Sequence, residues 1–258
     1  MPWTVSHAAA VLPFRRWCPA RLSFGALVIG SMSPDLGYYL GLPGIARFAH
    51  TVPGLVAVDL PAGLVLIGVL GLLRELLAVL LPQPHRDLLR DALDPADAGS
   101  GWRRAAVLSA SVVLGAATHA IWDSVTHAGS PPVTRIELLQ LELFRIGSWQ
   151  VQAYSLLQHA STLFGIVVLA IAYRSRLKSG AAARARPRDA RDIARCWILG
   201  VIAAAGALAC AAWIAAGLLA GSADQQAVVV QAVFVSTNLM VFLYLASAIA
   251  WRRFAGPD

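Results

Sequence analysis

The chain has 258 residues, of which 58% are hydrophobic and only 14% charged, with a formal net charge of +7. So apolar a composition excludes an ordinary soluble domain, where about 25% of residues are charged. The positive excess is concentrated: eight arginines and lysines from Arg174 to Arg195 face only Asp189 and Asp192. That is the pattern of a cytoplasmic membrane loop, not of a nucleic-acid-binding surface.

In chain order, His7 comes first, ahead of Arg15-Arg16 and the apolar stretch Leu22–Met32. This has the outline of a leader. No small-x-small site follows, and Pro34-Asp35 stands in its place, so the segment is expected to be retained. Arg21–Leu42 is a span candidate interrupted by Ser33-Pro34-Asp35, with Asp35 at its outer end. His50 immediately precedes the apolar run Val52–Leu73, whose single charge is Asp59. The 74–104 stretch carries Arg74, Arg86 and Arg90 and reads as a cytoplasmic loop, with His85 a solvent residue.

Ala105–Trp122 is the next run, entered past Arg103-Arg104 and closed by HAIWDSVTH, which places His119, Asp123 and His127 within nine residues. The outer loop 128–150 follows, with Arg135 and Arg145. Val151–Tyr173 then carries a polar stripe of Gln152, Ser155, His159 and Thr162. Beyond the basic loop, Cys196–Ala223 and Gln225–Trp251 contain no histidine and read as an anchoring hairpin. Cys18, Cys196 and Cys210 show no paired or metal-type spacing and are expected to be free thiols.

Runs of about 18–20 apolar residues suffice to cross a bilayer as a helix. The expected fold is therefore all-α, a polytopic membrane bundle of five to six spans. Its expected parts are a helical site domain (1–173), a basic cytoplasmic loop (174–195) and a C-terminal transmembrane hairpin (196–258). With the basic loop inside, Arg103-Arg104 and Arg252-Arg253 fall on the same side. The chain is then expected to be a multi-pass protein of a bacterial inner membrane.

In that orientation Asp35, His50, His119, Asp123, His127 and His159 all lie towards the outer, periplasmic face. At 1.5 Å per residue His119 and His159 sit about 12 Å deep. Ionisable groups in a span cost about 2.5–3.5 kcal/mol each at its centre, and they are kept where they satisfy one another or an ion. His119 and Asp123 are i and i+4 and share a helix face with His127. Imidazole and carboxylate together are a ligand set for zinc or another divalent transition metal. The number of donors suits one to three ions, with Asp123 as the bridging carboxylate. Asp59 is expected to orient a ligand histidine from behind.

The stretches SHAAAVLPFRR, SMSPD, FAHT, HAIWDSVTH and LLQHAST resemble an uncharacterised family of bacterial membrane proteins, a domain of unknown function, across about residues 1–173. The order His7, Asp35, His50, His119-x3-Asp123, His127, His159 is also similar to the zinc-dependent phospholipase C and single-strand nuclease superfamily. That resemblance implies a helical metal-site core and a ligand set of those residues, His7 included. His7 would reach the site on a short re-entrant helix. The chain departs from the superfamily at Leu163, where the soluble enzymes have an acidic ligand, and in showing no processed N-terminal amine.

The expected function is a membrane-embedded metal-dependent hydrolase, a phosphoesterase acting on a lipid or head-group substrate at the outer face. Asp123 and His119 would form its catalytic centre, Thr162 would support the ligands, and Arg135 and Arg145 would receive an anionic phospholipid substrate. The alternatives are a metal-ion or proton transporter using the same cluster, and a metal-binding scaffold without turnover.

Overall fold

A computed structural model describes residues 4–18, 21–93, 101–146, 149–178, 190–220 and 225–255. The described residues are mostly helical. A 3-10 helix, Thr4–Trp17, leads into α1 (Phe24–Met32), a 3-10 turn (Ser33–Asp35), α2 (Leu36–Tyr39) and α3 (Pro43–Ala49). Next come α4 (Val52–Gly54), a π-helical turn (Leu55–Asp59), α5 (Leu60–Ala78), α6 (His85–Ala92) and α7 (Gly101–Thr126). The short helices α8 (Pro131–Arg135) and α9 (Glu137–Gln140) precede the antiparallel strands β1 (Glu142–Ile146) and β2 (Trp149–Gln152). The chain closes with α10 (Ala153–Arg176), α11 (Ala190–Leu219) and α12 (Gln225–Phe254).

Among the described residues, five helical stretches are long and apolar enough to cross a membrane: Val52–Ala78, Gly101–Arg135, Ala153–Arg176, Ala190–Leu219 and Val228–Phe254. The sixth candidate, Arg21–Leu42, is not a span among the described residues. Pro34 cannot donate to the helix ladder, and the segment breaks into the nine-residue α1 and short turns. Residues 179–189 of the basic loop lie outside the described residues.

Contacts divide the chain into two units, Met1–Val69 with Pro95–Ser179, and Leu70–Asp94 with Gly180–Asp258. In the first, α1 lies against α7 with almost no side chain between them. A Cβ on Gly30 would fall 2.2 Å from the Val112 carbonyl oxygen, and one on Gly115 would fall 2.3 Å from that of Leu27. Small residues at such a crossing let two helices meet backbone to backbone, the usual packing mode inside a bilayer. Ser111 Oγ accepts from the Ser23 amide at 2.9 Å, fixing the entry to α1. The N-terminal 3-10 helix packs on α1 and α10, with Ser6 against Gly165.

In the second unit α11 packs against α12. Buried Arg195 donates to the Val79 carbonyl and to Asp192, both at 3.0 Å, and its guanidinium lies 5.0 Å over the Trp251 ring. Tyr244 donates to the Leu77 carbonyl. Such pairing is what permits a charge to be buried at all, so these polar groups serve packing.

Candidate metal centre

His119 and Asp123, one turn apart on α7, are both buried, while Trp122 between them is exposed. The 3.6-residue period puts the first two on one face and the tryptophan off it. Asp35 arrives from the 3-10 turn after α1, and His50 from the end of α3. One ligand atom from each of these four residues lies within 4.8 Å of the other three.

The closest contacts have a recognisable scale. His50 Nε2 lies 3.2 Å from His119 Nε2, 3.4 Å from Asp123 Oδ2 and 3.6 Å from Asp35 Oδ1. His119 Nε2 lies 3.3 Å from Asp123 Oδ2 and 3.7 Å from Asp35 Oδ1. A tetrahedral ion with bonds of about 2.0–2.2 Å spaces its ligand atoms about 3.3–3.6 Å apart.

The second layer orients these donors. His119 Nδ1–H donates to the Ser31 carbonyl at 2.8 Å and His50 Nδ1–H to the Ala46 carbonyl at 2.7 Å. Both Nε2 lone pairs are thereby aimed inward, as for metal-bound histidines. Thr4 Oγ1 donates to Asp35 Oδ2 at 2.6 Å and stands 3.1 Å from the Tyr39 hydroxyl. This leaves Asp35 Oδ1 facing the cluster, buried and without a hydrogen-bond partner among the described residues.

Asp123 looks both ways. Its Oδ1 has no hydrogen-bond partner among the described residues, and His7 Nε2, in the same condition, lies 3.4 Å away. The His7 ring stacks on that of His119 with centroids 3.7 Å apart. The 3-10 helix thus places His7 beside Asp123 and His119. His127 is at the edge: Nδ1–H donates to the Asp123 carbonyl at 3.1 Å, and Nε2 faces Gln158 at 3.5 Å.

Two histidines outside the apolar runs show what this packing does to a proton. Burial, and then the neighbouring His119, push His7 down to about 3. Burial also opposes charge on His50, but the facing carboxylates of Asp123 and Asp35 outweigh it and raise that imidazole to about 10.

Asp59 is fully buried, at the end of the π-helical turn. Neither of its carboxylate oxygens has a hydrogen-bond partner among the described residues. It is outside the four-donor group yet close enough to His50, His119 and Asp35 to interact electrostatically.

Other expected members are not brought in. His159 is exposed, and the inward position on α10 belongs to its neighbour Gln158. One residue is a rotation of about 100° on a helix, so a stripe traced through His159 is turned off the face that meets α7. Ser161 confirms the facing, accepting from Trp122 Nε1 at 3.1 Å. Thr162 spends its hydroxyl on the Gln158 carbonyl of its own helix at 3.0 Å. Arg145 is held by Glu142 in a two-point ion pair at 3.1 Å on each arm, and Arg135 is exposed on α8. Neither contacts the cluster.

Thr4, Tyr39 and Gln158 were not anticipated. Thr4 had a signal: residues i and i+3 eclipse in a 3-10 helix, so it shares a face with His7. Gln158 had none beyond its place beside a histidine.

No curated protein and no solved structure matches this chain. Residues 1–249 match the family model described as a domain of unknown function, DUF4184. Every residue of the cluster falls inside that match, and the chain belongs to the DUF4184 family.

Proposed function

We propose that this protein is a membrane-embedded, metal-dependent hydrolase, holding a zinc-like divalent ion between His50 Nε2, His119 Nε2, Asp35 Oδ1 and Asp123 Oδ2. The observation that carries this reading is the pair of imidazole nitrogens 3.2 Å apart whose Nδ1–H groups are both committed to carbonyls. Two facing lone pairs repel unless a proton or a cation lies between them. Two flanking carboxylates and spacings of tetrahedral size favour the cation.

A divalent ion there would polarise phosphoryl oxygens and make water a nucleophile at neutral pH. Four protein donors fill a tetrahedral shell, whereas catalytic sites keep a position open. The open position in this reading is on the other side of Asp123, where Oδ1 and His7 Nε2 form an incomplete second set at 3.4 Å. Two divalent ions held on the two sides of Asp123 would suit in-line attack on a phosphoester, and the substrate in this reading is a phospholipid head group. His7, kept neutral by burial, remains a lone-pair donor at any physiological pH.

The charge pattern supports placement in a bacterial inner membrane with the centre towards the periplasm, because Arg103-Arg104, Arg174–Arg195 and Arg252-Arg253 fall on the opposite side. The closed four-donor shell favours one rival, a scaffold that holds metal without turnover. Metal content of the detergent-purified protein, followed by product release from a phospholipid panel, separates the two. Stoichiometric zinc with no released product supports the scaffold, and a metal-free protein after zinc-replete expression ends both readings.

A further inference from the structure

Two surface elements border the centre. On one side α3 leads into His50; its Ala46 and Ala49 are buried, but Ile45 and Phe48 are 47% and 44% exposed. Leu40 and Leu42, just before it, are 64% and 45% exposed. On the other side the chain turns at Gly129 (φ +78°) after His127 and runs through α8, α9 and β1. There Ile136, Leu138, Leu141, Leu143 and Phe144 are all exposed. Of the clustered side chains, His50 and His127 are the most open, at 20% and 30%, and each adjoins one of these elements.

So much apolar surface in two short connecting segments is unusual for a face meeting water. A two-stranded hairpin alone is also marginal in water and needs a hydrophobic surface to lie on. Position supplies the surface. These segments join the heads of three apolar stretches, at Val52, Thr126 and Ala153, and so lie at one face of the bilayer. Their exposed side chains continue the apolar flanks of those stretches, among them Val52, Ile121 and Leu156. Arg47 and Arg135 are exposed among them, and basic side chains near a membrane surface are attracted to lipid phosphates.

We infer that residues 40–48 and 136–144 form a rim seated in the boundary between lipid head groups and acyl chains. The metal centre then opens into the head-group layer, and its substrate is an amphiphile entering sideways from the bilayer. The lipid contact stands on exposure and chain continuity; the substrate class rests on the metal-dependent reading above.

The test places a single cysteine at Phe48 or Leu138 in the full chain, with the three native cysteines replaced. An environment-sensitive fluorophore is attached, and the protein is reconstituted in phosphatidylethanolamine–phosphatidylglycerol vesicles. Asp91, exposed in α6, gives the aqueous reference. Nitroxide lipids labelled near the head group should quench the probes at 48 and 138 several-fold more than the probe at 91, with aqueous iodide giving the reverse order. Iodide quenching at 48 and 138 equal to that at 91 overturns the inference. So does disulfide pairing of Phe48→Cys between copies in place of lipid quenching, since the rim would then belong to a second copy. Probe depth is read with and without zinc. A lipid-seated rim on a protein that binds no metal ends the hydrolase reading alone, and a water-exposed rim on a zinc-loaded protein ends the rim alone.

Discussion

His50 and His119 point their Nε2 atoms at each other across 3.2 Å, although 69 residues separate them in the chain. Each ring is locked by a backbone carbonyl on its far side, from Ala46 and Ser31 respectively. Neither can turn away without losing that bond, so whatever charge lies between them is part of the fold.

In the metal-dependent reading, removing a donor of the cluster should release the ion. His119→Ala and Asp123→Ala, purified in detergent beside the wild type, should retain less than a tenth of its zinc by mass spectrometry. His159→Ala should keep all of it, because His159 faces away from the cluster. Loss of zinc in His159→Ala would contradict the geometry of α10 drawn here.

Thr4 acts through Asp35. Without its 2.6 Å hydrogen bond, the carboxylate is free to rotate and Oδ1 is no longer held towards the histidines. Thr4→Val should weaken zinc binding about 10- to 100-fold, the usual effect of losing a group that orients a ligand. Thr4→Ser, which restores the hydroxyl, should recover most of it. Competition with a chromogenic chelator measures both, and equal affinities for the valine and serine variants would remove Thr4 from the site.

The metal-free protein should be most stable near pH 6.5. His50 is raised from 6.5 to about 10 in the fold, so its contribution is complete below pH 6.5 and drains away as pH rises towards 10. His7 is lowered from 6.5 to about 3. The unfolded chain therefore takes up the proton first, and stability falls as pH drops from 6.5 towards 3. Thermal denaturation in detergent across this range gives the curve. Zinc, replacing the proton at His50, should flatten the alkaline limb; an alkaline limb unchanged by zinc would place the ion elsewhere.

The α1–α7 crossing should tolerate no added carbon. Gly30→Ala drives a Cβ to 2.2 Å from the Val112 carbonyl oxygen, a backbone atom with nowhere to move. Destabilisation of at least about 1–3 kcal/mol is expected, as for other overpacked sites. Gly44→Ala, where nothing lies within 4 Å, should leave the melting temperature within a degree or two of the wild type.

The long spans and the α7 face were legible because both rest on local rules. Apolar length identifies a span, and an i, i+4 spacing puts His119 and Asp123 together whatever surrounds the helix. Asp35 and His50 could be picked out as costly groups near span ends, although their meeting depends on the broken path between α1 and α5. What local rules could not supply was rotation. A histidine in a span is the conspicuous residue, yet α10 is set by Gly165 seated on Ser6, and this brings Gln158 inward instead. The bidentate hold of Glu142 on Arg145 was hidden for the same reason, since it depends on a bulged strand whose register shifts between Glu142 and Phe144.

The seating of Ser6 against Gly165 also sets an order of events in biogenesis. Chains enter the membrane from the N-terminus onward, so the segment bearing Thr4 and His7 emerges well before α10 but cannot dock until α10 arrives. These residues therefore reach their places long after they are made. An ion held through His7 would be acquired only by chains that had already threaded α10, so that loading would double as a proofreading step on insertion.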